Sequence, residues 1–483
     1  MSKASGGDFV GGPTAKIKRP TKIVLIFVVG LLFVVLPIVS EQKALAPIIW
    51  FLDGERDDVS SANLSHLVMG ISNRTSSPAL QAKPEQDDVG SGSKATRDAI
   101  PNQIDRYFDE LPHNVSDTQW IRDYFHWHRG VREEFVDVQL FEDPRGPNMT
   151  ILYLDPRDQG GGLTDRMKSL GHVLKRAHEQ RRLLLFKWYD SPLNLESFLV
   201  PSLLNFTVPS HPSTETPELL RAAYEELGQG RIILCKFVNQ LGNYHYPYGV
   251  IWNALFKPSA QVQAAIDHTK SALGLVSGKY DAVHCRIGHP AFRGKSKYDN
   301  EMDRKRDQEG GFKFEGVNRV STMKVALHGI QCVRWAAEAH NFTQQLNRST
   351  IYFYADSADL VKAVVAPESW NARGDEQLSL VQELKNVGSE NKVVGRKNAA
   401  ITHIQNRNKE TPISAFRSTF VDLYIAAGAR CIAMGVGRFA YMAAKISGTA
   451  CWTRHQTPPS SVAGQWGMTL MSREVPTCPI GTS

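Results

Sequence analysis

Apolar residues between positions 150 and 446 occur in two alternating patterns. Short continuous apolar runs, such as Ile351–Ala355, are typical of strands buried on both faces of a sheet. Elsewhere apolar residues recur every three or four positions, which predicts one buried helix face. The runs predict strands at 150–154, 183–188, 232–238, 281–286, 351–355, 393–394 and 431–434, and the spacing predicts helices at 104–111, 118–135, 163–177, 261–273, 323–340, 415–427 and 438–446.

This alternation of strands and helices predicts an α/β fold with parallel sheets covered on both faces. The strands form two series, so we expect two Rossmann-like lobes, at 103–276 and 277–483. Ligands of such sheets bind at the carboxyl ends of the strands. Polar residues that follow a predicted strand are therefore the first candidates for a functional site.

The longest apolar run of the chain, 23–39, contains no charged residue and is interrupted only by Gly30 and Pro37. A membrane-spanning helix needs ~17–25 residues, so the run is just long enough for a short transmembrane anchor. A cleaved signal peptide is the alternative, but its apolar region is usually shorter, and Val39-Ser40-Glu41 is a poor cleavage site. We expect an anchor.

The charges around this run predict its orientation. Four basic residues lie in 16–22, directly before the run, and the residues after the run are balanced in charge, so 1–22 is expected in the cytosol and the rest in the lumen. Residues 53–100 are rich in Ser, Asn, Asp, Gly and Pro, and we therefore expect 40–102 to be a flexible stem. This layout indicates a single-pass type II protein of the Golgi or ER membrane. All glycosylation sequons lie after the anchor, at Asn63, Asn73, Asn114, Asn148, Asn205, Asn341 and Asn347.

Composition narrows the class of function. The net charge of +7 is small for 483 residues and is not concentrated in a basic stripe, so a nucleic-acid partner is not expected. The six cysteines show no zinc-binding spacing, and an even number in an oxidising compartment permits disulfides of undetermined pairing. Cys235, Cys285 and Cys431 lie in apolar runs, which favours buried, unpaired side chains.

One candidate motif lies at the first strand of each series. Gly160-Gly161-Gly162-Leu163-Thr164-Asp165-Arg166 follows a predicted strand and opens a helix, where glycines allow close approach of a ligand. The alternative for Asp165 is a purely structural role, in which its carboxylate interacts favourably with the helix dipole. His284-Cys285-Arg286 ends a strand, and an arginine there can donate two hydrogen bonds to a phosphate. A solvated strand end is the alternative for both basic residues.

Two further motifs follow later strands. Asp356-Ser357 could accept from a ribose hydroxyl or a base, or could cap the next helix. Gly435-Val436-Gly437-Arg438-Phe439-Ala440 has the spacing of a phosphate-binding loop, but no acidic residue follows at the distance that NAD binding requires. The chain contains no Asp-x-Asp pair, so we expect no metal, and arginine, backbone amides and a helix dipole can supply the positive charge instead.

Together these motifs resemble the metal-independent fucosyltransferase superfamily, which includes the protein O-fucosyltransferases and the α1,6- and α1,2-fucosyltransferases. GGLTDR, followed by a strand ending in Lys187-Trp188, resembles the opening motif of this superfamily. VHCR resembles its His-x-Arg motif, and YADS resembles its Thr-Asp-Ser element. The last motif resembles Phe420-Val-Asp-Leu-Tyr followed by Gly435-Val-Gly-Arg-Phe. The resemblance covers about 150–450.

The resemblance implies a GT-B fold and an inverting transfer from GDP-fucose to a glycan or glycoprotein, with no cofactor. Arg286 would stabilise the departing diphosphate, Asp165 would be the base, and the acceptor would lie between the lobes. The residues expected to bind the donor are Gly161, Gly162, Arg166, His284, Asp356, Ser357, Gly437, Arg438 and Phe439.

Two departures from the family pattern leave alternatives open. Val436-Gly437-Arg438 stands where Ser or Thr usually precedes the Phe, and Ala355 stands where Thr is usual. A catalytically inactive glycan-binding relative in the Golgi, or an inverting glycosyltransferase with another nucleotide sugar, would also fit. A sulfotransferase would need a glycine-rich loop with Lys or Arg and Ser or Thr, which 160–166 does not provide.

Overall fold

The structure is a computed structural model. The described residues are 101–111, 118–135, 137, 139–154, 163–189, 194–228, 230–236, 247–287, 319–342, 349–397, 413–456 and 477–478. They belong to one compact unit, Ala62–Ser483. The predicted tail 1–22, anchor 23–39 and nearly all of the predicted stem lie outside the described residues, although the first helix already begins at Pro101. Within the described ranges, no helix is long and apolar enough to span a bilayer.

The helices and strands follow the predicted alternation. The strands are β1 Met149–Leu154, β2 Leu183–Trp188, β3 Leu199–Pro201, β4 Ile232–Lys236, β5 Phe256–Pro258, β6 Tyr280–Cys285, β7 Thr350–Ala355, β8 Lys392–Val394, β9 Cys431–Met434 and β10 Cys451–Arg454. The helices are α1 Pro101–Asp109, α2 Gln119–Glu134, α3 Gln139–Glu142, α4 Leu163–Met167, α5 Leu170–Glu179, α6 Pro217–Leu227, α7 Tyr248–Leu255, α8 Ala260–Leu273, α9 Arg319–Ala339, α10 Ala358–Val365, α11 Asp375–Glu390, α12 Ile413–Ala427 and α13 Phe439–Ser447.

The first sheet is parallel and has the strand order β2-β1-β4. Every residue of β1 is buried, as expected for a strand covered on both faces. The short antiparallel pair β3–β5 lies outside this sheet.

The second sheet is parallel and has the order β10-β9-β6-β7-β8. From β6 the chain continues to one side through β7 and β8, and then returns to the other side of β6 to form β9 and β10. The strand order therefore reverses between β6 and β9. In an open parallel sheet, the crevice beyond the carboxyl ends of these two strands is the expected ligand site.

Packing connects the helices around the two sheets. Helix α8 packs on α12, and α7 packs on α13. The rings of Phe198 and Phe420 stack with centroids 4.6 Å apart, and the indole N–H of Trp252 donates to the hydroxyl of Tyr424 at 3.2 Å. One apolar core runs from Ile104 to Ile446 through these contacts. The parallel α/β architecture is as predicted, while the lobe boundary near position 277 stays a prediction.

The helix predicted at 163–177 is two helices, α4 and α5, separated by Lys168 and Ser169. The apolar face nevertheless continues across the break, because Met167 and Leu170 on either side of it are both fully buried. Apolar spacing reports a shared buried face and does not report a short turn within it.

Two disulfides join four of the six cysteines. Cys431 bonds to Cys451, and Cys332 bonds to Cys478. The prediction that Cys431 is an unpaired buried side chain was therefore wrong. Cys431 and Cys451 are register partners on the adjacent strands β9 and β10, a pairing that becomes visible only once β10 is known. Cys235 and Cys285 are free, as expected.

Candidate functional site

Arg286 follows directly after β6, at the point where the strand order of the second sheet reverses. About a fifth of its side chain is exposed, and its Nε lies 4.0 Å from Oδ2 of Asp356. Burial lowers the pKa of the guanidinium, while the carboxylates of Asp356 and Asp165 oppose that shift. Arginine is in effect always protonated in proteins, so this side chain brings a fixed positive charge to the crevice.

Gln456 and His455, directly after β10, hold the ends of β6 and β9 together. Oε1 of Gln456 accepts from the backbone N–H of Arg286 and from that of Val436, both at 3.1 Å. Nε2 of His455 donates to the carbonyl of His284 at 2.7 Å. These bonds fix the backbone on both sides of the crevice. Neither residue was predicted from the sequence, because β10 was not predicted and no strand end marked them.

Two glycines after β9 let the loop approach Arg286. A Cβ on Gly435 would lie 2.1 Å from Oε1 of Gln456 and 2.7 Å from the carbonyl oxygen of His284, both too close for any other residue. Gly437 has a φ of +93°, which favours glycine, and a Cβ there would lie 2.8 Å from Nη1 of Arg286. The predicted loop therefore packs its backbone against the predicted arginine.

The loop leads into α13, whose N-cap is Arg438. The first backbone N–H groups of a helix have no partner within the helix and attract anions. Nη1 of Arg438 lies 3.8 Å from Oδ1 of Asp165 on α4, and this carboxylate is about a third exposed. Helix α4 is held there by α13, which packs on it, and by the hydroxyl of Tyr248, which donates to the carbonyl of Met167 at 3.1 Å.

His284 is buried in β6, beside Arg286 in sequence. Its ring contacts Tyr354 and Phe439, with centroids 5.0 and 5.8 Å away. Burial lowers its pKa to about 3, with further contributions from Arg286 and His455. The imidazole is therefore neutral at physiological pH, and Arg286 alone carries the positive charge of the predicted basic pair. Phe439, the first residue of α13, closes this aromatic cluster.

Asp356 and Ser357 follow β7 and have different roles. Oδ1 of Asp356 accepts from the backbone N–H of Ile287 at 2.9 Å, so this carboxylate holds the segment that carries Arg286. Ser357 is buried and caps α10 by accepting from the N–H of Leu360 at 3.4 Å. Of the two interpretations left open by the sequence, helix capping describes Ser357.

The remaining predicted residues belong to the opening motif. Gly161 and Gly162 lie outside the described residues. Arg166 is 1% exposed, and its guanidinium carbon lies 5.8 Å from the centroid of the Trp188 ring at the end of β2. Its observed position is thus against the first sheet. The structure adds Lys168, a buried lysine whose pKa is lowered to about 8 by burial and by the charge of Arg438.

One group of side chains in the described residues has the composition of a metal site: His328, Cys332 and Cys478. Its two sulfurs form a disulfide, and a metal needs deprotonated cysteines as ligands. This group therefore does not fit a resident metal while the disulfide is present.

The chain is similar to several solved structures, whereas no family model and no curated protein matches it. One of these structures is a mutant of Arabidopsis thaliana FUT1 in complex with GDP. It gives a TM-score of 0.42 at 10% identity, covering 73% of this chain and 82% of that chain.

Two further similar structures are NodZ α-1,6-fucosyltransferase soaked with GDP-fucose and POFUT1 in complex with GDP-fucose. The NodZ structure gives a TM-score of 0.35 at 13% identity and covers 62% of this chain and 92% of that chain. The POFUT1 structure gives 0.32 at 10% identity and covers 64% and 96%. NodZ carries the name of the family that the sequence motifs resemble. Similarity of this degree does not identify a function, so the residues of the site have to indicate one.

Proposed function

We propose that this protein is a glycosyltransferase that transfers fucose from GDP-fucose to a glycan or glycoprotein acceptor, with inversion and without a metal. One observation carries the proposal. Arg286, the backbone of the Gly435–Arg438 loop and the N-terminus of α13 meet at the strand-order reversal of a parallel sheet.

This arrangement suits a diphosphate. A planar guanidinium can donate to two phosphate oxygens at once, and the backbone N–H groups that open α13 add donors and a positive dipole. Gly437 keeps side-chain bulk away from the guanidinium, so oxygen atoms have room beside it. Arg438 supplies a second arginine at the same helix end. The charge of Arg438 also helps to lower the pKa of the buried Lys168.

The sugar and base of the donor are proposed from the motifs. The order of GGLTDR, VHCR, YADS and GVGRF along the chain resembles the fucosyltransferases, and three of the four motifs meet around Arg286. GDP-fucose is therefore the first donor to test, with other nucleotide sugars as the alternative.

The catalytic roles follow from charge. As the bond from the sugar C1 to the diphosphate oxygen breaks, negative charge grows on the diphosphate, and Arg286 and Arg438 are positioned to stabilise it. The acceptor hydroxyl forms the new bond to C1 and gives its proton to a base. Asp165 is the candidate base, because its carboxylate is about a third exposed beside Arg438 and is held by a packed helix. Because arginines and a helix dipole already supply positive charge, we propose a mechanism without a metal.

A lumenal location in the Golgi or ER is part of the proposal. Two disulfides among the described residues support it, since such bonds persist in oxidising compartments. Asn148, Asn205 and Asn341, the described sequon asparagines, all retain exposure to solvent. Expression in eukaryotic cells should therefore give a protein whose gel mobility increases after treatment with an N-glycosidase. An unchanged mobility would count against lumenal exposure of these asparagines.

A nucleotide-sugar turnover screen on the purified protein tests the activity. We expect release of GDP from GDP-fucose, lost in Arg286→Ala and reduced in Arg286→Lys, whose ammonium cannot bind two oxygens at once. Arg334→Ala is the matched control, because Arg334 lies on α9 and its described contact is with surface Glu390. Turnover of a different nucleotide sugar would change the donor. GDP binding without turnover of any donor would favour the inactive glycan-binding relative.

A further inference from the structure

A separate cavity lies at the carboxyl end of β2, in the first sheet. Its volume is about 480 Å³, and it is lined by Lys187, Trp188, Asn194, Glu196 and Ser197. Small-molecule sites typically measure ~300–1,000 Å³, so the cavity can hold a small ligand. None of the donor-binding roles described above uses it.

The lining of this cavity indicates an uncharged, hydroxyl-rich ligand. Lys187 donates and Glu196 accepts, while the amide of Asn194 and the hydroxyl of Ser197 can do both. The two opposite charges cancel, so neither an anion nor a cation is favoured. A ligand with many hydroxyl groups offers a donor and an acceptor at each one, and it can satisfy both kinds of partner.

Helix α4 connects this cavity to the donor site through two consecutive residues. Asp165 faces Arg438 at 3.8 Å, on the side of the donor loop. Arg166 lies over the ring of Trp188, which lines the cavity, at 5.8 Å. The candidate base is therefore carried by the helix that also contacts the inner wall of the cavity.

The outer wall of the cavity is fixed by contacts to the apolar core and to the N-cap of α8. Leu195 is buried next to the lining residues, and the hydroxyl of Ser259 donates to the carbonyl of Ser197 at 3.0 Å. The following residue, Phe198, stacks on Phe420 of α12. A wall held in this way is formed before a ligand arrives, which lowers the cost of binding.

We propose that this cavity binds one neutral sugar unit of the acceptor. The inference rests on the proposed function, which it deepens by naming the acceptor as a glycan and by placing its subsite at Lys187–Trp188 and Asn194–Ser197. The sugar bound there presents the acceptor to the Asp165 side of α4, while the donor occupies the crevice beyond β6 and β9.

Binding of simple glycosides to the purified full-length chain tests the subsite. The probes are methyl glycosides of galactose, xylose and N-acetylglucosamine, and saturation-transfer NMR measures their binding. GDP is titrated in parallel. We expect at least one glycoside to bind to the wild type. Its affinity should be at least about fivefold weaker in Glu196→Ala and in Asn194→Ala, because each variant removes a side chain that hydrogen-bonds to the ligand. GDP affinity stays unchanged in both. Glu225→Ala, an exposed glutamate on α6, is the control and binds like the wild type.

The two proposals fail in different ways. If no glycoside binds the wild type, or if Glu196→Ala and Asn194→Ala bind as well as Glu225→Ala, the subsite is refuted whatever GDP does. A short uncharged peptide that binds in place of every glycoside also refutes it. If glycosides bind with the expected loss in the variants but GDP does not bind, the subsite stands and the donor proposal fails.

Discussion

Gly437→Ala isolates the contact between the loop after β9 and Arg286. The glycine has a φ of +93°, and an added Cβ would lie 2.8 Å from Nη1 of Arg286. The substitution therefore strains the backbone and displaces the guanidinium. Gly374→Ala is a matched control, because Gly374 has a φ of +80° but nothing within 4 Å of the added Cβ.

The two effects have separate magnitudes. A non-glycine residue held in a sparsely populated positive-φ conformation costs ~1–3 kcal/mol, so we expect both variants to lose free energy of unfolding. Displacing Arg286 from a phosphate removes a charged hydrogen bond worth about 1.5–3 kcal/mol, which corresponds to a GDP affinity about tenfold to a hundredfold weaker in Gly437→Ala alone.

Urea denaturation and calorimetric titration with GDP measure the two quantities on the same samples. The expected result is destabilisation of both variants, with loss of GDP affinity confined to Gly437→Ala. If Gly437→Ala binds GDP as tightly as Gly374→Ala does, the Arg286–Gly437 contact does not shape the donor site, and the reasoning is refuted.

Three further predictions concern stability. Gln456→Leu leaves the backbone N–H groups of Arg286 and Val436 without their acceptor, and it should lower the free energy of unfolding by about 2 kcal/mol or more in urea denaturation. Gln456→Glu keeps an acceptor and should lower this free energy less. Equal losses in the two variants would contradict the role of Oε1. Burial lowers the pKa of His128 to about 4. The contribution of the neutral imidazole to the free energy of unfolding is therefore fully present above the unfolded pKa of ~6.5 and is lost as the pH falls towards 4. The loss is about 2 kcal/mol at pH 5. In His128→Gln the drop in stability between pH 7 and pH 5 should be smaller by that amount, and an unchanged drop would refute the assignment. Replacing Cys431 and Cys451 by alanine removes a disulfide between residues 20 positions apart and should lower the free energy of unfolding by about 3 kcal/mol. A loss near zero would contradict a stabilising role for this disulfide.

Much of the second sheet could be predicted from the sequence, because its strands are buried on both faces and read as continuous apolar runs. Predicted bounds for β7 and β9 agree with the structure to within one residue. The loop after β9 was equally visible, since paired glycines between an apolar strand and a helix are typical of a loop that packs closely against a ligand or a neighbouring backbone. Arg286 and Gly437 were consequently predicted, and the structure brings them into contact.

Residues whose role depends on strand order could not be predicted. β10 is a four-residue strand that begins with Cys451 and contains Trp452, Thr453 and Arg454, which gives no continuous apolar run. Without it, Gln456 is an ordinary polar residue far along the chain from Arg286. For the same reason the partner of Cys431 was not apparent. These features arise from strands that are adjacent in space but distant in sequence, and periodicity carries no information on such pairing.

The distinction between capping and binding also needed the folded structure. Asp356 and Ser357 are neighbours after the same strand, yet one holds the N–H of Ile287 and the other caps α10. Both roles use a short polar side chain at a strand end, so residue type alone does not separate them.

Calorimetric titration of GDP into the wild type, Arg286→Ala and Arg334→Ala tests whether the crevice beyond β6 and β9 binds the donor diphosphate. We predict saturable binding to the wild type, the same affinity in Arg334→Ala, and affinity at least about tenfold weaker in Arg286→Ala with the fold intact by circular dichroism. No binding to the wild type, or equal binding to Arg286→Ala, would contradict the assignment of this crevice as the donor diphosphate site.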